Sequence, residues 1–269
     1  MNPAVLRGRE HTVLGAVATI AEGRCAVALS RGGAAKTYPH SDPNEDAVAF
    51  AEGAGGILLA AADGHGGCTA AEVGIERLLE RNANQWTASD AAGLEALWPT
   101  AARSALEDVH GAIVRATARS GAAASVTTLA FAVLRECDDL FAFASIGDSH
   151  IFRVETHAAS DLAFDPGTPT AFLGIAKDSA DRLREKCVAG VTRLSGVRAA
   201  VLVTDGISES GIGVSDPEGA VVQAMAAAAG AERDLRPLVG AHETVETALA
   251  AHRTHRAGDN VACAVAWLA

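Results

Sequence analysis

An apolar run that ends abruptly in a carboxylate and several glycines is the feature that most constrains this sequence. Residues 58–62 read Leu-Leu-Ala-Ala-Ala, and Asp63, Gly64, His65 and the pair Gly66-Gly67 follow them. The run predicts a buried strand, and the glycines allow a tight turn and a close approach of backbone to a ligand. A carboxylate in such a place loses solvation unless a cation or a donor meets it. Asp63 and the Gly64 carbonyl would offer two oxygen ligands to a hard cation.

The composition argues against several classes of protein. The 269 residues carry a formal net charge of −11, which is unsuited to a nucleic-acid surface or a polybasic membrane anchor. No apolar run approaches the length of a membrane span, and the first ten residues lack the pattern of a signal peptide. The five cysteines include no C-x-x-C spacing, which favours reduced core thiols. We therefore expect a cytoplasmic monomer that binds neither nucleic acid nor membrane.

Two apolar segments predict how the layers are arranged. Residues 125–134 and 140–146 are apolar on both alternating faces, and a tight turn at 137–139 joins them. Strands joined in this way are antiparallel, yet strands of this composition are covered on both sides. The two properties agree in an α+β fold, a four-layer α-β-β-α sandwich of two stacked, mainly antiparallel sheets flanked by helices. Helical patterns occur at 70–82, around 102–116 after a break or restart at Pro99, and at 216–229 and 243–255.

Two further strands predict a hairpin with a carboxylate at each end. Residues 47–50 and 57–62 flank a turn near Ala54 and Gly55, and Asp46 and Asp63 are nearly equidistant from that turn. In an antiparallel pair these two carboxylates face each other at the open end. Two carboxylates so placed repel each other unless a cation lies between them.

Five aspartates lie at predicted strand ends. Asp63, Asp148 and Asp205 end apolar strands, and Asp46 and Asp259 directly precede strands. A single Asp-Gly at a strand end is usually only a turn, but turn chemistry does not account for five such positions. In antiparallel sheets the exit of one strand lies beside the entry of the next, so all five carboxylates can gather at one edge. Clustered aspartates without cysteine suit Mg²⁺ or Mn²⁺ rather than zinc.

Such a cluster predicts a reaction. Two ions that share a carboxylate can lower the pKa of a bridging water and produce a hydroxide nucleophile. His65, beside the shared ligand Asp63, could then protonate a leaving alkoxide. Together these groups indicate metal-assisted hydrolysis of a phosphate ester. We interpret His150 as structural, and His252 and His255 as exposed helix residues.

The motifs around these aspartates occur in an order that resembles a known family, the metal-dependent protein phosphatases (PPM, or PP2C-type Ser/Thr phosphatases). They run from residue 44 to residue 260, so the resemblance covers essentially the whole chain and implies one phosphatase domain over 1–269. The motifs are Asn44-Glu45-Asp46, Asp63-Gly64-His65-Gly66-Gly67, Thr127-Thr128-Leu129, Gly147-Asp148-Ser149, Thr204-Asp205-Gly206 and Gly258-Asp259-Asn260.

The resemblance implies two ions, Mn²⁺ or Mg²⁺, and a set of ligands. Asp63 would bridge the ions, the Gly64 carbonyl would complete one site, and Asp205 and Asp259 would hold one ion.

The resemblance also implies ligands on the other side of the centre. Asp46 and Glu45 would lie there, partly through water, and Asp148 would hold a weaker third ion with Asp205. His65 matches the position of the general acid.

The sequence departs from the family at the group that grips the substrate phosphate. Many members carry an arginine a few residues before the Glu-Asp pair, but residues 40–43 read His-Ser-Asp-Pro. Lys36, or Arg31, could substitute for it. The flap that usually influences substrate choice is not recognisable in 156–196, where Asp165 to Pro169 predict a loop.

The function we expect is hydrolysis of phosphoserine and phosphothreonine in proteins by a metal-activated water, with a phosphorylated protein as the partner. Two alternatives stay open at this point. One is a phosphatase-like regulatory or binding module with little turnover, which the missing arginine favours. The other is a phosphatase of small phosphoesters.

Overall fold

A computed structural model describes residues 3–91, 93–122, 124–163 and 171–268. In these residues twelve strands form two six-stranded sheets, and two short strands form a separate ribbon. The strands are β1 Ala4–Arg7, β2 Val17–Glu22, β3 Cys25–Ser30, β4 Ala47–Glu52, β5 Ile57–Ala62, β6 Gly64–His65, β7 Val126–Thr127, β8 Leu129–Arg135, β9 Leu140–Ile146, β10 His150–Val154, β11 Ala159–Asp161, β12 Val188–Arg193, β13 Ala199–Val203 and β14 Val261–Trp267. The helices are α1 Thr69–Leu78, α2 Asn84–Trp86, α3 Leu94–Ser120, α4 Ala180–Lys186, α5 Pro217–Ala229 and α6 Arg236–His255.

The two large sheets are antiparallel at every pairing in the described residues. One sheet has the order β1-β4-β5-β8-β9-β12, and the other has the order β11-β10-β13-β14-β3-β2. Hairpin neighbours such as β4 and β5 or β8 and β9 pair directly, since short turns join antiparallel strands. The ribbon of β6 and β7 carries the glycine-rich stretch away from the end of β5.

Three apolar layers separate four layers of structure. Between the sheets, side chains such as Phe50, Leu59 and Leu202 are packed together. The outer face of the first sheet packs against α1 and α3, where Ile75 and Trp98 are buried. The outer face of the second sheet packs in the same way against α5 and α6. This arrangement confirms the predicted α-β-β-α sandwich, and it explains why strands such as β5 and β8 are buried on both faces.

One prediction about local structure was wrong. Helix α3 is one continuous helix that contains Pro99, where a break or restart was expected. A proline inside a helix costs about 3 kcal/mol. Burial of Trp98 and its hydrogen bond of 2.8 Å to the carbonyl of Phe143 hold this part of the helix on the sheet and offset that cost.

The stretch 156–196 contains two strands that the sequence did not reveal. They are β11 and the edge strand β12, whose residues are mostly half-exposed and therefore lack an apolar pattern, and the short helix α4 lies between them. The expected loop from Asp165 to Pro169 lies outside the described residues.

None of the helices in the described residues combines the length and the apolar character that crossing a membrane requires.

Candidate metal centre

The open end of the β4–β5 hairpin places two carboxylates together, as the sequence predicts. The last pair of the ladder is Ala47 opposite Ala62, so Asp46 and Asp63 are the next residues on the two strands. Both side chains are buried, with Asp46 at 0% and Asp63 at 3% exposure.

The second sheet contributes its aspartates at the same end of the sandwich. The β10–β13 ladder ends at His150 opposite Val203, and Asp148 and Asp205 lie two residues beyond that pair on their respective sides. Ligand atoms of Asp63, Asp148 and Asp205 all lie within 4.8 Å of one another. Three of the five predicted carboxylates therefore form one compact group, contributed by both sheets.

Burial and mutual repulsion disfavour negative charge in this group. Burial, and next the neighbouring carboxylates, raises the pKa of Asp63 and of Asp205 well above the ordinary value. Burial raises the pKa of Asp46 to about 7, although Lys36 acts in the opposite direction. A divalent cation would remove this penalty, because it would place positive charge beside these buried carboxylates.

Two oxygens of this acidic group indicate a cation as their partner more specifically. Asp46 Oδ1 and Asp63 Oδ2 are buried and accept no hydrogen bond from the part of the chain that the structure describes. A buried acceptor without a partner costs about 1–3 kcal/mol, so such oxygens are uncommon unless a ligand meets them. The donors are carboxylate oxygens without sulfur, which suits a hard divalent ion such as Mg²⁺ or Mn²⁺.

Threonine hydroxyls hold these carboxylates in place. Thr204 Oγ1 donates to Asp46 Oδ2 at 2.8 Å and accepts from the Ala262 amide, which ties one sheet to the other. Thr127 Oγ1 donates to the Asp63 carbonyl at 2.8 Å, and Thr128 Oγ1 accepts from the Asp63 amide at 3.2 Å. Thr204 thus orients the Asp46 carboxylate, and Thr127 and Thr128 hold the backbone of Asp63.

Glu45 and Asp259, by contrast, already have protein partners. Glu45 Oε1 accepts from the amides of Ser41 and Asp42 at 3.0 and 3.1 Å. Asp259 Oδ1 accepts from the Tyr38 hydroxyl and, at 2.7 Å, from the amide of Asn260. These contacts stabilise the loop that precedes β4, and they leave fewer oxygen lone pairs of Glu45 and Asp259 for an ion.

Lys36 lies inside this acidic region. Its ammonium is 3.3 Å from Asp259 Oδ1 and 3.8 Å from Glu45 Oε2, and its side chain is only 4% exposed. Burial alone would lower the pKa of Lys36, but Asp259, Asp46 and Glu45 outweigh burial and raise the pKa. Arg31, the other cation considered, instead donates to the carbonyl of Thr12 at 3.0 Å.

The glycine and the histidine that follow Asp63 have distinct environments. A Cβ on Gly64 would lie 2.2 Å from the carbonyl oxygen of Glu45, so a larger residue would push the two metal-site segments apart. The His65 side chain is 43% exposed, and its Nδ1 lies 3.2 Å from Asp63 Oδ2 without the alignment of a hydrogen bond. Its ring packs against Phe172 at a centroid distance of 4.8 Å. His65 is therefore both near the cluster and open to a substrate.

One supporting histidine was wrongly interpreted from the sequence. His252 was expected to be exposed, but it is fully buried, and burial lowers its pKa. Its Nδ1 accepts from the Gly33 amide at 3.2 Å and its Nε2 donates to the Gly206 carbonyl at 2.7 Å, so the ring is neutral. His252 thereby joins the segment before Lys36 to the turn that carries Asp205. Its alignment with Val245 and Leu249 on one face of α6 was the signal for burial.

Comparisons with known proteins agree with this geometry. The sequence profile of the family described as Protein phosphatase 2C matches residues 33–252. No curated protein sequence matches the chain.

Similar solved structures cover nearly the whole chain. The serine-threonine phosphatase 2C from Toxoplasma gondii is 15% identical with a TM-score of 0.65, covering 99% of each chain. The catalytic domain of the serine threonine protein phosphatase PstP, solved with 2 manganese ions, is 20% identical with a TM-score of 0.62, covering 94% of this chain and 99% of that one. A structure of PstP/Ppp from Mycobacterium tuberculosis is 21% identical with a TM-score of 0.62, covering 91% and 98%.

Proposed function

Since this chain belongs to the protein phosphatase 2C family, we propose how its residues perform the reaction of that family. At the level of the family the chain is a metal-dependent hydrolase, a protein serine/threonine phosphatase whose substrates are phosphoproteins. The proposal concerns the residues, the ions and the substrate contacts of this particular chain.

The acidic end of the sandwich would hold two ions, Mn²⁺ or Mg²⁺. Asp63 would be shared between them, with Asp205 and Asp259 on one side and Asp46 and Glu45 on the other, partly through water, and the Gly64 carbonyl would complete one site. Asp148 and Asp205 would hold a weaker third ion. The observation that carries this proposal is the group of Asp63, Asp148 and Asp205, whose ligand atoms lie within 4.8 Å of one another. When bound, the ions would supply a nucleophile from water at neutral pH and neutralise phosphate charge.

His65 would supply the proton that an alkoxide leaving group needs. Its half-exposed ring reaches solvent from the edge of the cluster, while Phe172 supports one side of it. A phosphoserine or phosphothreonine leaves as an alkoxide, whose high basicity makes proton donation valuable.

Lys36 would replace the phosphate-gripping arginine of other family members. The support is its position, with the ammonium 3.3 Å from Oδ1 of Asp259, a proposed metal ligand. An ammonium contacts phosphate as a point charge, without the two parallel hydrogen bonds of a guanidinium. We expect weaker phosphate binding than an arginine would give. We also propose a single domain over 1–269 that acts as a cytoplasmic monomer.

The test is phosphate release from a phosphothreonine peptide, from p-nitrophenyl phosphate and from a small alkyl phosphate, each with Mn²⁺, Mg²⁺ or EDTA. We expect metal-dependent release from the peptide that EDTA abolishes. Release from the small esters alone would replace the phosphoprotein substrate by a small one. Mn²⁺ binding without any release would favour the regulatory module. Asp234→Asn, at an exposed site between α5 and α6, is the control for substitution of an aspartate as such.

A further inference from the structure

Three side chains beside the metal centre form a continuous hydrogen-bonded chain. His150 is buried, its Nδ1 lies 2.5 Å from Asp161 Oδ2, and its Nε2 lies 2.6 Å from Ser208 Oγ. Ser208 Oγ in turn lies 3.3 Å from the carbonyl oxygen of Asp205. We call the chain Asp161–His150–Ser208 the relay. It connects β11, β10 and the turn that follows β13.

The partners of Asp161 fix the direction of these hydrogen bonds. Asp161 Oδ1 accepts from the amides of Ile151 and Ala163 at 3.3 and 3.1 Å, as expected of a carboxylate. Its other oxygen therefore accepts from His150 Nδ1–H, and Nε2 is left as an acceptor. Ser208 then donates its single hydroxyl hydrogen to His150 Nε2 at 2.6 Å, in preference to the Asp205 carbonyl at 3.3 Å.

The relay has the residue types of a hydrolytic triad, but its surroundings do not suit a nucleophile. A serine nucleophile needs backbone amides that are free to stabilise an oxyanion. The amides of Ser208 and Glu209 both donate to the Asp205 carbonyl at 2.7 Å. Both amides are therefore already hydrogen-bonded within the turn that carries Asp205. This indicates that the relay stabilises that turn.

The position of the relay explains what it adds to the sheet. The β10–β13 ladder stops at His150 opposite Val203, and among the described residues no backbone bond of this ladder lies beyond that pair. Asp148 and Asp205 both lie beyond that pair. The hydrogen bond between Ser208 and His150 crosses the same gap. Ser208 lies three residues after Asp205, and His150 lies two residues after Asp148. This hydrogen bond therefore bridges the two strand ends where the ladder no longer does.

We propose that the relay positions Asp205 relative to Asp148, with Ser208 and His150 as positioning residues that set the affinity for divalent metal. The inference rests on the proposed metal ligation by these two aspartates. Groups that orient ligands from behind typically contribute about 10- to 100-fold to metal affinity. The hydrogen bond between Ser208 and His150 can fix the separation of Asp205 and Asp148 only while both side chains are present.

The experiment measures Mn²⁺ affinity of the metal-free protein by calorimetric titration, with Mn²⁺ EPR as an independent readout. Ser208→Ala should weaken binding about tenfold, whereas Ser208→Thr, which keeps the hydroxyl, should restore most of the affinity. Ser210→Ala is the matched control, since Ser210 lies on the same loop and is exposed. We expect Ser210→Ala to bind Mn²⁺ as the wild type does.

A second variant tests the same bond from its other end. His150→Phe keeps a ring that can stack on Phe152, whose centroid lies 5.2 Å from that of His150, but it removes both nitrogens. We expect its loss of Mn²⁺ affinity to match that of Ser208→Ala, and the double variant to lose no more than either single variant.

The outcomes separate the relay from the proposed function. Wild-type affinity in Ser208→Ala, or an equal loss in Ser208→Ala and Ser208→Thr, would overturn the relay while leaving the metal centre intact. Additive losses in the double variant would also overturn it. A wild-type protein that binds no Mn²⁺ would overturn the proposed metal centre itself, and the relay with it.

Discussion

The two sides of the acidic centre differ in how far the protein satisfies its own carboxylates. On the open side, defined as Asp63, Asp148 and Asp205, ligand atoms converge within 4.8 Å and the Asp63 Oδ2 atom accepts no hydrogen bond from the described residues. On the filled side, defined as Glu45 and Asp259, backbone amides, the Tyr38 hydroxyl and the Lys36 ammonium already occupy the oxygens.

This difference indicates how affinity for ions is distributed. The pKa values of Asp63 and Asp205 are raised, so an ion that contacts these two carboxylates should be bound most tightly. On the filled side an ion must compete with an ammonium and with existing hydrogen bonds. Five aspartates at strand ends are therefore not equivalent ligands, because their local partners differ.

The largest effect is expected from Asp63→Asn, which removes charge from the residue proposed to serve both ions. Phosphate release should fall by roughly three orders of magnitude, because both the nucleophile and the charge neutralisation depend on the ions. Phosphate release from a phosphothreonine peptide measures this loss, with Asp234→Asn as control. Activity within about twofold of wild type would show that Asp63 is not the ligand shared by both ions.

His65→Ala tests whether His65, at the exposed edge of the open side, donates a proton to the leaving group. Release from an alkyl phosphate or a phosphothreonine peptide should fall about 100-fold, a typical contribution of a general acid. Release from p-nitrophenyl phosphate should change little, because nitrophenolate leaves without protonation. Equal losses on both kinds of substrate would contradict this role of His65.

Asp205→Asn and Asp259→Asn compare two ligands proposed for the same ion, one from the open side and one from the filled side. We expect Asp205→Asn to weaken Mn²⁺ binding about tenfold more than Asp259→Asn, since Asp259 Oδ1 already accepts from Tyr38 and the Asn260 amide. Titration of each metal-free variant with Mn²⁺ measures the difference. Equal losses would show that the distinction between the sides has no consequence for metal binding.

Lys36→Met should change metal and substrate binding in opposite directions. Without the ammonium near Asp259 and Glu45, Mn²⁺ affinity should rise a fewfold, because a competing cation is gone. The KM for a phosphothreonine peptide should rise about fivefold, because phosphate loses a charged contact. An unchanged KM would show that Lys36 does not bind the substrate phosphate in place of the arginine. The measurements are a Mn²⁺ titration and steady-state kinetics at saturating metal.

The smallest effect concerns the pH dependence of the metal-free protein. Burial raises the pKa of Asp46 to about 7 and raises that of Asp63 and Asp205, so the folded state binds more protons than the unfolded state above about pH 4. The stability from these groups is full at low pH and is lost as pH rises through the folded pKa values. In EDTA, Tm should fall by a few degrees between pH 5.5 and pH 8. Saturating Mn²⁺ should reverse this fall, and a Tm that rises over this range in EDTA would contradict it.

The carboxylates of the centre could be predicted from the sequence because their placement follows from sheet geometry. Asp46 and Asp63 flank one hairpin, so the register that pairs Ala47 with Ala62 brings them together whatever the rest of the chain does. The alternation of apolar residues on both faces likewise determined the layers of the sandwich.

The partners of those carboxylates could not be predicted in the same way. Lys36 and Tyr38 reach Asp259 across more than 200 positions of sequence, through a loop without a periodic pattern. The relay joins His150, Asp161 and Ser208 from three separate elements, and their spacing in the sequence does not predict these contacts. Side-chain hydrogen bonds between distant loops depend on the finished packing, whereas strand ends depend mainly on the local pattern.

The most direct test of this account locates the ions themselves. Crystals of the protein grown with Mn²⁺ would be measured at the manganese absorption edge, and the anomalous difference map would show where manganese binds. We expect a strong peak in contact with Asp63 and Asp205, and weaker peaks towards Asp148 and towards Glu45. Manganese bound only at exposed carboxylates elsewhere, with none at this end of the sandwich, would contradict it.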